Sequence, residues 1–210
     1  MKISPENLRL YAVTDRRWLD GRSLASDVEA AIRGGVTCVQ LREKELGFDA
    51  FLQEAIALKA VCSQYGVPLI INDNVDILLQ SGADGIHVGQ KDQNAREVRR
   101  LIGPDKILGV SAATVAEALQ AEEDGADYLG CGAVFATSTK TNTRSVDNAL
   151  LSEISASVKI PVVAIGGISQ ENAGSLRGTG IAGTAVVSAI FAHPDIRQAA
   201  SSLKALEVWA

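Results

Sequence analysis

The sequence predicts an α/β fold, a single (β/α)8 TIM barrel, and three observations predict it. Eight short apolar runs of β type alternate with runs of helical period, roughly every 20 to 30 residues. The strand-type runs are apolar on both faces, as in a parallel sheet covered by helices on one side and packed on itself on the other. Glycine and proline are scattered rather than gathered into a linker, so the 210 residues are expected to form one catalytic domain, 1–210. Periodicity alone leaves an open doubly wound sheet as the alternative to closure.

The strands are expected at Leu10 to Thr14, Thr37 to Leu41, Pro68 to Ile71, Gly85 to Val88, Ile107 to Val110, Tyr128 to Cys131, Val162 to Ile165 and Thr184 to Val187. Between them, Val28, Ala31 and Ile32 follow Ser26, with Glu29 three residues on, as in a capped helix start. Phe51, Ala55, Leu58 and Cys62 keep a four-three spacing, and Thr114 to Glu117 is a capping box ahead of Ala118, Leu119 and Ala121. Ile196, Ala199, Ala200 and Leu203 give one more apolar stripe near the end. These stripes face the core and carry no chemistry.

Charge and cysteine usage narrow the function. Lys and Arg number 20 against 25 Asp and Glu, a net charge of −5, and no basic run would grip a polyanion, so nucleic acid is not an expected partner. The first residues hold no apolar stretch behind a basic tip, and no segment reaches the ~18 apolar residues of a membrane helix. A cytoplasmic protein without membrane partners is therefore expected. Cys38, Cys62 and Cys131 lack CxxC spacing and sit among apolar neighbours, which predicts reduced, buried thiols.

In such a barrel chemistry sits at the C-terminal ends of the strands, so polar residues there are the candidates. Thr14 and Asp15 end the first strand. Gln40, Arg42 and Lys44 alternate with Leu41 and Glu43 in the second, which by the period of two turns them to one side. Such a trio is costly to desolvate without an anion; a solvated rim is the other reading. The third strand ends Asn72-Asp73-Asn74, and the fourth continues His87-Val88-Gly89-Gln90-Lys91-Asp92. Neighbouring strands lie about 4.8 Å apart, so Asp73 and Asp92 can converge on one ion. Two carboxylates beside Asn and basic groups suit Mg2+ better than Zn2+. Asp73 could instead cap the following helix, and His87 could be a buried, satisfied imidazole.

Ser111 ends the fifth strand, and the sixth gives way to Thr137-Ser138-Thr139-Lys140, whose hydroxyls and ammonium can hold a phosphoryl group unless they form only a flexible polar loop. Gly166-Gly167-Ile168-Ser169 would let backbone N–H groups approach an anion, or form a plain tight turn. Val187-Ser188 ends the eighth strand, a usual place for phosphate in these barrels.

With these residues in order, the chain resembles the thiamine-phosphate synthase family over nearly its whole length. The resemblance rests on Tyr11-Ala12-Val13-Thr14-Asp15, Gln40-Leu41-Arg42-Glu43-Lys44, Ile71-Asn72-Asp73, His87 to Asp92, Gly109-Val110-Ser111, Thr137 to Lys140, Gly166-Gly167-Ile168 and Val186 to Ile190. It implies an enzyme joining hydroxymethylpyrimidine diphosphate to a thiazole phosphate, in many members carboxylated, with release of pyrophosphate. It further implies that Gln40, Arg42, Lys44, Asn72, Ser111 and Lys140 hold the pyrimidine diphosphate. Thr137, Ser138, Thr139, Gly167, Val187 and Ser188 would hold the thiazole phosphate. Asp73 and Asp92 would bind Mg2+, and Arg42 and Lys140 would stabilise the leaving group.

Two departures stand out. Ala133 and Ala136 replace prolines usual in the family, which frees φ in the sixth loop; Thr184 stands where valine is common. A thiazole tautomerase on the same barrel would have no use for the two aspartates. A sugar-phosphate epimerase would want more histidine ligands than His87 and His193. A silent barrel binding a phosphorylated metabolite to regulate a partner is the remaining alternative. A homo-oligomer is compatible with all of these.

Overall fold

Strand and helix alternate because each parallel strand must return across the sheet before the next can pair, and an amphipathic helix makes that crossing while covering the sheet. The computed structural model describes residues 3–136 and 145–209. Its strands are β1 (Leu10–Val13), β2 (Cys38–Leu41), β3 (Leu69–Asn72), β4 (Gly85–Val88), β5 (Ile107–Ala112), β6 (Tyr128–Cys131), β7 (Val162–Ile165) and β8 (Gly183–Val186). All pair parallel with their chain neighbours, and β1 pairs with β8, so the sheet is a closed barrel rather than an open one. Most strand limits fall within a residue of expectation; β5 runs two residues further, which places Ser111 inside the strand.

The helices are α1 (Pro5–Leu8), α2 (Leu24–Arg33), α3 (Phe48–Gln64), α4 (Val75–Ser81), α5 (Ala95–Ile102), α6 (Val115–Glu123), α7 (Asn148–Ser157), α8 (Ser188–Phe191) and α9 (Ile196–Lys204). The stripes of α3 and α9 are buried as expected, and Thr114 caps α6 by accepting from Glu117 N–H at 3.1 Å. For α2 the expectation is corrected. Ser23, not Ser26, is the cap, and it accepts from the Ser26 N–H at 3.1 Å, so the helix begins earlier than the Ser26–Glu29 pair suggests. Between β7 and β8 the described crossing is only a 3₁₀ turn, Ala173–Leu176. Among the described residues no helix is long and apolar enough to cross a membrane.

Alternation along the strands makes two cores. Leu10, Ala12, Val39, Leu41, Ile71 and Ile86 face outward onto the helices, whereas Tyr11, Val13, Cys38, Ile70, Tyr128 and Val163 fill the barrel. Thr184 falls on the outward set, between Leu10 and Ala164, and is 3% exposed, away from the site. Leu8 of α1 plugs the N-terminal mouth. The three thiols are free and buried, and burial pushes Cys62 and Cys131 up to about 12, where they are inert.

The N-terminal mouth carries a repeated brace that the sequence reading passed over. Asp84 accepts from the Leu69 N–H and pairs with Lys59, each at 2.8 Å. Asp127 accepts from the Leu108 N–H at 2.8 Å and pairs with Arg99. Both aspartates follow Gly-Ala, and Gly82 and Gly125 have φ of 72° and 91°, a turn open to glycine at little cost. Each carboxylate thus ties a helix to the start of a strand.

Candidate active site

The site is built from the opposite mouth, where β1 to β8 release their loops. Thr14 and Asp15, which follow β1, shape the backbone. Thr14 Oγ1 accepts from Arg42 N–H at 3.0 Å, and Asp15 caps the turn Arg16–Trp18 while paired with Arg17. Burial raises the Asp15 carboxyl, but the Arg17 side chain and N–H, with Arg42 nearby, outweigh it and hold it below its ordinary value.

The second strand ends at Leu41, so the period of two does not carry through to Lys44. Gln40 is buried and points inward, donating from Nε2 to the Tyr11 hydroxyl at 2.8 Å. Arg42 is half-buried, and among the described residues its guanidinium has no hydrogen bond or ion pair. Lys44 stands in a bend and reaches across to Asp73 Oδ2 at 2.6 Å. That bend is shaped by a residue the sequence reading missed. The Glu43 carboxylate accepts from the N–H groups of Lys44 at 2.8 Å and Glu45 at 2.9 Å, and from Arg16 Nε at 2.9 Å. Its own position between two basic residues reads as surface, and only the fold turns it inward.

Burial raises the Glu43 carboxyl, but those N–H groups and Arg16 outweigh it and hold it below its ordinary value. A depressed carboxyl adds stability above its unfolded pKa, and that stability is lost as pH falls through the folded value. Glu43→Gln should therefore lower the melting temperature at pH 7 by about 2–8 °C, the effect of losing a hydrogen-bonded buried acceptor. The variant should also flatten the acid limb of the melting profile between pH 7 and 3. A profile parallel to wild type would show that the carboxylate's charge does no stabilising.

On the third strand Asn72 donates from Nδ2 to Asp73 Oδ1 at 2.6 Å. Asp73 has φ 63°, a left-handed backbone that aspartate tolerates and most residues do not. Its N–H donates to the His87 carbonyl at 3.0 Å. The helix cap is Asn74, which accepts from Ile77 N–H at 2.9 Å, so Asp73 is spared that task. Asp92, in the loop after β4, accepts from Gly89 N–H at 2.7 Å. A Cβ at Gly89 would stand 2.9 Å from Asp92 Oδ2.

Partial loss of water raises the Asp92 carboxyl above its ordinary value; the Gly89 N–H opposes this, Asp73 reinforces it, and Lys44 opposes it. The two carboxyls lie close enough to hydrogen-bond when one is protonated. Crowded like charges of this kind are what a divalent cation relieves. No group of three or more His, Cys, Asp or Glu able to hold a metal occurs among the described residues, so the pair would share a hard cation with water and ligand oxygens. A cleft of about 660 Å³ opens at Asp73, lined among others by Lys44, Asn72, Leu79 and Leu101. It lies to the Asp73 side and does not reach Arg42 or Ser111.

Ser111 accepts or donates at 2.9 Å with His87 Nε2, and Gln90 Nε2 donates to its carbonyl at 2.7 Å. His87 is thus a buried, partnered imidazole. After β6 the chain keeps pairing with the end of β7. Val134 and Phe135 N–H donate to the Ile165 and Gly166 carbonyls, each at 3.0 Å. The Gly132–Ala133 peptide is cis. A Cβ on Gly167, whose φ is 65°, would stand 2.3 Å from the Ala136 carbonyl oxygen, so only glycine fits. This contact brings position 136 against Gly167; Thr137, Ser138, Thr139 and Lys140 lie outside the described residues. Val187 caps α8 with φ −117°, and Ser188 is exposed at its first position.

A closed parallel barrel with polar and charged side chains gathered at its C-terminal mouth is the architecture of a barrel enzyme acting on small molecules. Residues 10–190 match the family model for thiamine monophosphate synthase. The thiamine-phosphate synthase of Ruminiclostridium cellulolyticum is 53% identical over 194 residues, covering 92% of each chain. That of Clostridium tetani is 50% identical over 194 residues, covering 92% of this chain and 93% of its own. The solved thiamine phosphate pyrophosphorylase of Pyrococcus furiosus superposes with a TM-score of 0.89 at 36% identity, covering 97% and 96% of the two chains. The chain belongs to the thiamine-phosphate synthase family.

Proposed function

We propose that this chain, acting as one catalytic domain, joins hydroxymethylpyrimidine diphosphate to (carboxy)thiazole phosphate, yielding thiamine phosphate and pyrophosphate. Family membership along most of the chain supports the reaction. The observation that carries the diphosphate side is the crowded Asp73–Asp92 pair, on the same mouth of the barrel as the half-buried Arg42, whose guanidinium makes no hydrogen bond or salt bridge among the described residues. A thiazole tautomerase has no use for that pair, and a silent binder would not need it.

In this reading the bond between the pyrimidine methylene carbon and the diphosphate oxygen breaks first, and its electron pair leaves with pyrophosphate. The aminopyrimidine ring spreads the resulting positive charge, and the thiazole nitrogen lone pair closes the new C–N bond. No side chain need act as nucleophile or general base, so the protein's share is placement and charge. Arg42 and Lys140 gain attraction as negative charge grows on the departing oxygens. Gln40, Asn72 and Ser111 orient the pyrimidine diphosphate, and Lys44 is released from Asp73 to join them. Mg2+, held by Asp73 and Asp92, would supply positive charge to the diphosphate oxygens. Thr137, Ser138 and Thr139, with the backbone at Gly167, Val187 and Ser188, hold the thiazole phosphate.

The test is a coupling assay with both substrates, following thiamine phosphate and pyrophosphate with Mg2+ and with EDTA. Equal, Mg2+-dependent formation of both products is expected. Thiazole phosphate binding without product would overturn the synthase reading in favour of the tautomerase or the silent binder. Product formed equally in EDTA would overturn the metal assignment alone.

A further inference from the structure

Five side chains from five strands form one hydrogen-bonded line through the barrel. Gln40 Nε2 donates to Tyr11 Oη at 2.8 Å. Tyr11 Oη lies 2.8 Å from Tyr128 Oη, Tyr128 Oη 3.0 Å from His87 Nδ1, and His87 Nε2 2.9 Å from Ser111 Oγ. The two ends, Gln40 and Ser111, are residues assigned above to the pyrimidine diphosphate; the three between have no part in that assignment. We propose that Tyr11, Tyr128 and His87 fix the direction of every bond in this line, so that Ser111 presents its proton, and never its lone pairs, to an anionic ligand.

The number of protons available along the line sets its direction. Each phenol has one proton to give, and deep burial pushes both phenols well above their ordinary range, so they keep it. Tyr11 already accepts from the Gln40 amide, and its own proton has the Tyr128 oxygen as the better acceptor; the Cys38 sulfur, also against it, is a weak one. Tyr128, having accepted, donates to His87 Nδ1. A neutral imidazole that accepts at Nδ1 carries its proton on Nε2 and donates it to Ser111 Oγ. The Ser111 proton is then left for a ligand, and a diphosphate offers only acceptors. The opposite direction would leave the Tyr11 proton only the Cys38 sulfur, a weak acceptor, or an amide nitrogen without a lone pair, and would turn Ser111 lone pairs toward the anion. Turning over the Gln40 amide would favour it, so the two ends of the line are linked.

Tyr128 is on this account a positioning residue, at the centre of the line and remote from the ligand. One glycine makes room for it and a second for His87. A Cβ at Gly109 would stand 2.1 Å from Tyr128 Cζ, and one at Gly130 would stand 3.0 Å from His87 Cε1.

The inference rests on the proposed function for what Ser111 meets, so it is tested first without turnover. The chain has two histidines, and a His193→Gln variant assigns their signals. Nitrogen NMR of the ligand-free protein labelled at histidine should show His87 as the Nε2–H tautomer; an Nδ1–H tautomer overturns the proposal whatever the enzyme does. Tyr128→Phe, which removes one oxygen and keeps the ring, should give a mixed tautomer and weaken binding of inorganic pyrophosphate with Mg2+ about tenfold, by calorimetry. In the coupling assay it should raise KM for the diphosphate by a like factor, with kcat changed less than about threefold. A lower melting temperature with unchanged tautomer and unchanged pyrophosphate affinity would show that Tyr128 only packs, and overturn the proposal. Should that variant not fold, Tyr11→Phe and the wild-type tautomer decide the matter alone. A protein that meets these binding results yet forms no thiamine phosphate loses its proposed reaction and keeps the relay.

Discussion

Asp73→Asn should lower kcat/KM for the diphosphate about 10²- to 10³-fold, the usual loss from one preorganised charge, while the melting temperature stays within about 2 °C. The fold is spared for three reasons. Asparagine tolerates the left-handed backbone at φ 63° as well as aspartate does. The cap of α4 is Asn74, which is untouched. The Asp73 N–H bond to the His87 carbonyl belongs to the backbone. What changes is charge. Lys44 loses its partner at 2.6 Å, and Asp92 loses the negative neighbour that helps raise its carboxyl. The Mg2+ concentration for half-maximal rate should therefore rise, because one carboxylate replaces two. Steady-state rates over a Mg2+ titration, with a melt of the same sample, check both halves. A kcat/KM within threefold of wild type would remove Asp73 from the site.

Lys140→Ala should lower kcat by about 10² to 10³, the usual cost of losing one electrostatic contact made chiefly in the transition state. Pyrophosphate leaves with about three negative charges, and a cation that gains attraction during departure affects kcat more than KM. The described chain runs alongside the end of β7 as far as position 136, which is seated on Gly167. Steady-state kinetics with both substrates varied is the check. A rise in KM alone would mean that Lys140 binds the ground state, and a kcat within threefold of wild type would take it out of the mechanism.

The barrel was legible because its signal is repeated eight times; an error at one strand end leaves the alternation intact. β5 and the Ser23 cap moved by a few residues because period and capping motifs locate an element better than its edges. That Asp73 and Asp92 come close together was legible because one follows the end of β3 and the other lies in the loop after the neighbouring β4, each beside other polar groups. The left-handed backbone at Asp73 was not, since no residue type signals it. Tyr11 and Tyr128 were hidden differently. Each sits in an apolar run and reads as core, and their hydroxyls meet across 117 positions of sequence. A period of two says which way a side chain points and nothing about what it faces. The one available clue was glycine inside apolar strands, at 109 and 130, since a strand without a side chain marks a close approach by a neighbour.

That close approach makes positions 109 and 128 a single allotment of space inside the barrel. Tyr128 occupies the volume in which a residue at 109 would grow its side chain, so the two cannot vary independently. Gly109→Ala alone would force the ring aside, Tyr128→Ala alone would leave a void, and the double change would let one methyl lie in part of the emptied volume. Their effects on stability are therefore strongly non-additive. Tyr128→Phe is the substitution at this pair that leaves the shared volume as it is and alters only the polarity passing through it.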